Sequence, residues 1–163
     1  MSRLGLELCV NNSWSGGNLS GRDDESSGVM RARELSRKSG ESPDVIIVFM
    51  GINDLGRRVA SEVFAEDYSL TLGTIKENHP GALVFCVNLP DRDILSRADA
   101  EIFNRAIDEA VRKAGENFFT VDLFGSELRG DRYYMNTLDG LHPDEDGMRM
   151  IADVIEEAIK AHI

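Results

Sequence analysis

Three short apolar runs constrain the fold of this chain more than any other feature. They are Val45-Ile46-Ile47-Val48-Phe49-Met50, Ala82-Leu83-Val84-Phe85-Cys86-Val87 and Phe118-Phe119-Thr120-Val121-Asp122-Leu123. A strand with one wet face alternates polar and apolar residues. The first two runs do not alternate at all, which is the pattern of a strand covered on both faces of a parallel sheet. The segments between and after them have helical period instead. Residues 61–78 carry Val63, Phe64, Tyr68, Leu72 and Ile75 and stop before Pro80. Residues 98–114 set Ile102, Phe103, Ala106, Ile107, Ala110 and Val111 on one face, the clearest amphipathic helix in the sequence. Residues 144–161 do the same with Met148, Ile151, Ala152, Ile155 and Ile159. A weaker stripe of Val29, Ala32 and Leu35 predicts a short helix within 22–40, closed by Gly40. Leu6–Val10 is short and partly alternating, and reads as a further strand. Strands alternating with helices of this length imply right-handed crossovers and an α/β fold, a parallel sheet with helices on both faces.

At 163 residues the chain is expected to form a single domain over 1–163. A chain of this length buries roughly two-thirds of its unfolded surface and needs no metal or disulfide staple. Its formal net charge of −11 argues against nucleic-acid binding and against adhesion to anionic membranes. The longest unbroken apolar run, Val45 to Met50, is far short of the about 20 residues of a membrane span. No leader peptide is visible, so a chain complete as written is expected in the cytoplasm; the compartment is otherwise open. Cys9 and Cys86 each sit in an apolar stretch and read as buried free thiols.

In a parallel α/β sheet, chemistry gathers in the loops after the strands' carboxyl ends. Three polar clusters fall on such loops or reach the same end. In Asp139-Gly140-Leu141-His142-Pro143, a histidine that titrates near neutrality stands three residues after a carboxylate. That carboxylate can fix the imidazole's tautomer and support it as general base. The same residues also describe a plain turn entering a capped helix. In Gly51-Ile52-Asn53-Asp54 the glycine allows a sharp turn and the Asn53 amide can donate to an oxyanion. An Asx-turn ending the strand fits equally well. In Asn12-Ser13-Trp14-Ser15-Gly16-Gly17 a glycine N–H can face the same oxyanion, Trp14 can line a pocket, and Ser13 and Ser15 carry hydroxyls. The 88–93 loop and Tyr133–Asn136 are expected to shape the pocket. A metal site from Asp54, Asp139 and His142 is the competing idea, but it is thin in ligands. His79 and His162 read as surface residues near helix C-termini. No Gly-rich phosphate loop is present.

Taken in order, the three blocks resemble the SGNH hydrolases, also called the GDSL-type esterase/lipase family. Ser13-Trp14-Ser15-Gly16 resembles the Gly block, Gly51–Asp54 the Asn block and Asp139–Pro143 the His block. The resemblance runs from Leu4 to the last helix. It implies a flavodoxin-like, three-layer α/β/α fold whose five parallel strands run 2-1-3-4-5. It implies Gly16 N–H and the Asn53 amide as oxyanion donors, His142 as general base and Asp139 as its orienter. It implies hydrolysis of small-molecule or carbohydrate acyl esters, with no metal and no other cofactor.

The family's nucleophile lies in a Gly-Asp-Ser block just after its first strand, and this sequence contains no Gly-Asp-Ser. Leu6–Val10 then corresponds to the family's second strand, with strand 1 missing. The expected result is an N-terminally truncated domain, with little activity alone and an unpaired edge on Val45–Met50. Such an edge invites self-association. Two rivals stand beside that reading: a complete enzyme using Ser13 or Ser15, and a non-catalytic, partner-dependent binding domain on the same scaffold.

Overall fold

The computed structural model describes residues 4–8, 10–38, 42–92 and 97–163. In chain order its elements are α1 (Gly28–Lys38), β1 (Val45–Val48), α2 (Ile52–Gly56), α3 (Ser61–Asn78), β2 (Leu83–Val87), α4 (Arg97–Ala114), β3 (Phe118–Val121), α5 (Asp131–Met135) and α6 (Glu145–Lys160). The strands lie side by side as β1-β2-β3, all parallel, with Val45 opposite Leu83 and Val84 opposite Phe118.

The pleat of β2 sets the layers. Successive side chains point to opposite faces, so Val84 and Cys86 face one way and Phe85 and Val87 the other. Val84 and Cys86 join a core with Phe64, Tyr68 and Leu72 of α3 and Phe103 and Ile107 of α4. Phe85 and Val87 join a second core with Val121, Leu123, Tyr133 of α5, and Ile151 and Ile159 of α6. The result is the three-layer α/β/α sandwich that the apolar runs predict. Helix α3 has the bounds read from its stripe, and α4 and α6 agree to within a residue. Cys86 is a buried free thiol, and burial pushes its pKa up to about 12; Cys9 lies outside the described residues.

Four readings change. Leu6–Val10 forms no strand among its described residues: Leu6 packs with Leu4 against the α6-side core and Leu8 is exposed. Those residues spend their apolar surface on the sheet's face instead of joining a ladder. β1 is not covered on both faces. Ile46 and Val48 are buried, whereas Ile47 is 49% exposed, because α6 packs over β2 and β3. His79 is buried, with Nδ1 3.1 Å from Ser42 Oγ, and burial lowers its pKa. Helices α2 and α5 are too short to leave a periodic trace; each spans five residues.

Candidate active site

Gly51 follows β1 and opens α2. Its φ is 121°, and a Cβ there would come within 2.9 Å of the Phe64 ring, so only glycine fits. The turn places Asn53 and Asp54 in the first turn of α2. Asn53 Nδ2 donates to Gly17 O at 2.9 Å. Asp54 is fully buried, with Oδ2 accepting from Leu19 N at 2.6 Å and Oδ1 from Ser20 N at 2.9 Å. These bonds fasten the 17–20 segment to α2. Gly17 N closes a turn onto Trp14 O at 3.2 Å, with Gly16 at φ 72° at its tip. A side chain at 17 would collide with Ser26 O. Gly16 is exposed, and its N–H has no acceptor among the described residues. An asparagine amide has two N–H bonds, so Asn53 keeps one free after bonding Gly17. Gly16 thereby sits next to a segment that Asn53 and Asp54 fasten to α2.

Asp139 and His142 meet in a second tight turn. Thr137 and Pro143 form an antiparallel bridge, and Leu138 N donates to His142 O at 2.8 Å. Gly140, at φ 79°, turns the chain and donates to Thr137 Oγ1 at 2.8 Å. Asp139 Oδ2 lies 2.8 Å from His142 Nδ1, while Oδ1 accepts from His142 N at 2.8 Å and Leu141 N at 3.0 Å. The backbone N–H of His142, then its imidazole, then the Leu141 N–H hold the Asp139 carboxyl at about 2. With Nδ1 on the carboxylate, Nε2 is the imidazole's free nitrogen. Both side chains are open to solvent, Asp139 54% and His142 69% exposed. Asp144 then caps α6 by accepting from Gly147 N at 2.8 Å.

The loop after β2 joins these two turns. Leu89 packs against Gly51, and Asp91 O accepts from Gly130 N at 3.0 Å at the start of α5. Arg92 and Tyr133, both in segments expected to shape the pocket, are buried beside the Asp139 turn. Arg57 was not foreseen. Its Nη1 donates to Asn18 Oδ1 at 2.6 Å, and its Nη2 lies 3.9 Å from where a Cβ on Gly16 would sit. One arginine of the Arg57-Arg58 pair gives no signal of such a role in sequence. Trp14 is exposed, with the Arg31 guanidinium 5.3 Å from its ring centroid. Ser13 and Ser15 are exposed, and neither hydrogen-bonds to His142. Asp54 is fully buried against the backbone amides of Leu19 and Ser20, and among the described residues no group of three or more His, Cys, Asp and Glu side chains is placed to hold a metal ion.

Residues 2–150 match the profile of the GDSL-like Lipase/Acylhydrolase family. Among solved structures, a protein from Lactobacillus plantarum superposes with a TM-score of 0.75 at 19% identity, covering 91% of this chain and 79% of that one. A putative GDSL-like lipase from Parabacteroides merdae gives a TM-score of 0.63 at 23% identity, covering 81% and 69%. A carbohydrate esterase family 2 enzyme with a carbohydrate binding domain, from Corynascus thermopiles, gives 0.64 at 22% identity, covering 91% and 50%. At these identities the likeness is one of fold. No curated protein sequence matches the chain.

Proposed function

The chain belongs to the GDSL-like lipase/acylhydrolase family, and from that premise we propose that it carries the acid–base and oxyanion parts of a serine ester hydrolase. The observation that carries this reading is the 2.8 Å contact of Asp139 Oδ2 with His142 Nδ1, which leaves Nε2 free. In this mechanism Nε2 takes the proton of a serine hydroxyl as that oxygen attacks the ester carbonyl. Asp139 holds the tautomer and stabilises the imidazolium. Gly16 N–H and the spare Asn53 N–H receive the developing oxyanion, where one such donor contributes about 3 kcal/mol to barrier lowering. His142 then returns the proton to the departing alcohol, and water repeats the cycle on the acyl-serine. The substrate class is a small-molecule or carbohydrate acyl ester, in keeping with the esterase named among the structural neighbours. No metal or other cofactor takes part in these steps.

The nucleophile is the part these 163 residues do not supply in a Gly-Asp-Ser block. The chain alone is therefore a poor catalyst in this reading. The test fuses a Gly-Asp-Ser strand ahead of Met1 and measures p-nitrophenyl acetate hydrolysis. The fused chain gains turnover that His142→Ala reduces about 10³-fold or more, and a fluorophosphonate probe labels the added serine alone. A fused chain whose turnover survives His142→Ala overturns the reading. Fast turnover by the unfused chain, with Ser13 or Ser15 labelled, overturns the missing nucleophile.

The exposed Ile47 supports a second reading, a partner-dependent domain. β1 pairs only with β2 among the described residues, and an apolar edge of this kind favours association with another strand.

A further inference from the structure

The peptide unit between Leu141 and His142 is clamped at both ends. Its N–H donates to Asp139 Oδ1 at 2.8 Å. Its C=O accepts from the Tyr133 hydroxyl at 3.2 Å. Tyr133 belongs to α5 and is only 4% exposed. The Arg92 guanidinium lies close to that hydroxyl and within the field of Asp139. Arg92 is 6% exposed, and its Nε has no acceptor. Its backbone is fixed as well, since the preceding Asp91 O accepts from Gly130 N at the start of α5. Burial lowers the Arg92 pKa and raises that of Tyr133.

A buried cation is expensive, and keeping one here calls for a return elsewhere. The return is visible in the order of the bonds. The Arg92 charge lies beside the Tyr133 hydroxyl, and its field polarises the O–H that donates to Leu141 O. The hydroxyl polarises the 141–142 peptide, and the peptide's N–H bonds the Asp139 carboxylate. Hydrogen bonds in such a chain strengthen one another. No step of the proposed hydrolysis uses Arg92 or Tyr133, yet both aim at the turn that carries His142.

We propose that Arg92 and Tyr133 are positioning residues that set the Asp139–His142 pair through the Leu141–His142 peptide. The inference rests on the hydrolase reading for its biological point, but its geometry does not depend on a nucleophile. It predicts that the His142 N–H weakens as a donor to Asp139 when the Tyr133 hydroxyl is removed, although Tyr133 never touches the carboxylate.

The experiment is an NMR titration of the Asp139 carboxyl carbon, with the His142 amide proton followed in parallel, in the unfused chain. Tyr133→Phe raises the Asp139 midpoint by a few tenths of a pH unit and moves the His142 amide upfield. Arg92→Met gives a smaller shift of the same sign, and Arg92→Lys restores part of it. Tyr134→Phe, at an exposed neighbouring position, changes neither signal. If Arg92→Met fails to fold, Tyr133→Phe and Arg92→Lys still decide the matter. An unmoved Asp139 midpoint in folded Tyr133→Phe overturns the proposal. Because no substrate is involved, that failure is separate from a failure of the hydrolase reading.

Discussion

Replacing Asp54 by alanine separates the architecture of this site from its chemistry. Asp54 is fully buried, and its two oxygens satisfy the backbone N–H groups of Leu19 and Ser20 at 2.6 and 2.9 Å. Alanine leaves both donors without partners in a place that excludes water. Each orphaned buried group costs about 1–3 kcal/mol, so the pair costs about 2–6 kcal/mol. A domain of this size is stable by about 5–15 kcal/mol, so the loss is large and in the upper range unfolds the protein. Asn53, one residue earlier, makes a single bond to Gly17 O and is only partly buried. Its replacement by alanine costs about 0.5–1.5 kcal/mol of stability. Urea unfolding of the three proteins, read at constant m, gives the comparison. Native-state hydrogen exchange at Leu19 and Ser20 locates it: these two amides lose protection in Asp54→Ala and keep it in Asn53→Ala. An Asp54→Ala protein within 1 kcal/mol of the parent would refute the reasoning. So would equal costs for the two substitutions, because the argument turns on burial and the number of bonds.

Three further outcomes follow from the geometry. Gly51→Ala destabilises the fold by about 2 kcal/mol or more, from a left-handed φ combined with a contact on the Phe64 ring; a melting temperature equal to the parent's counts against that crowding. The Asp139 carboxyl is held at about 2, below its ordinary 3.8, so its stabilising contribution is complete above about pH 4 and is lost as pH falls through 2. A carboxyl midpoint near 3.8 in the folded protein removes the bonds assigned to Leu141 and His142. Ile47→Lys places a charge on the exposed side of β1 and reduces any concentration-dependent association seen by sedimentation velocity; unchanged association moves the contact elsewhere.

Much of this was legible in the chain because it repeats. Helix α3 announces its bounds through Phe64, Tyr68, Leu72 and Ile75, and the buried β2 through an apolar run with no polar interruption. Asp139 and His142 were legible because local spacing alone brings them together. Other features depend on contacts distant in sequence, and no local pattern carries them. Asp54 reads as a turn residue or a metal ligand until Leu19 and Ser20 are seen to donate to it across 35 and 34 residues. His79 reads as a surface cap until Ser42 is found against its ring. Leu6–Val10 has the composition of a strand, but a strand also needs a neighbour, and its leucine at position 6 is spent on a face of the sheet.

The two cores described above give the candidate site an unusual mechanical dependence. The loop bearing Gly16 and the short helix bearing Asn53 are tied to Leu19, Ile52 and Leu55, all in or against the core on the α3/α4 side. The turn bearing His142 is tied to Tyr133 and Ile151, in the core on the α6 side. The sheet runs between them like a partition. The distance from the Gly16 and Asn53 N–H groups to the His142 imidazole is therefore set across the partition, not along either half. A substitution that swells one core by a methyl group can leave that half intact and well folded, yet carry it bodily past the other. Melting temperature and the alignment of these two loops are separate quantities in such a molecule, and a variant can keep the first while losing the second.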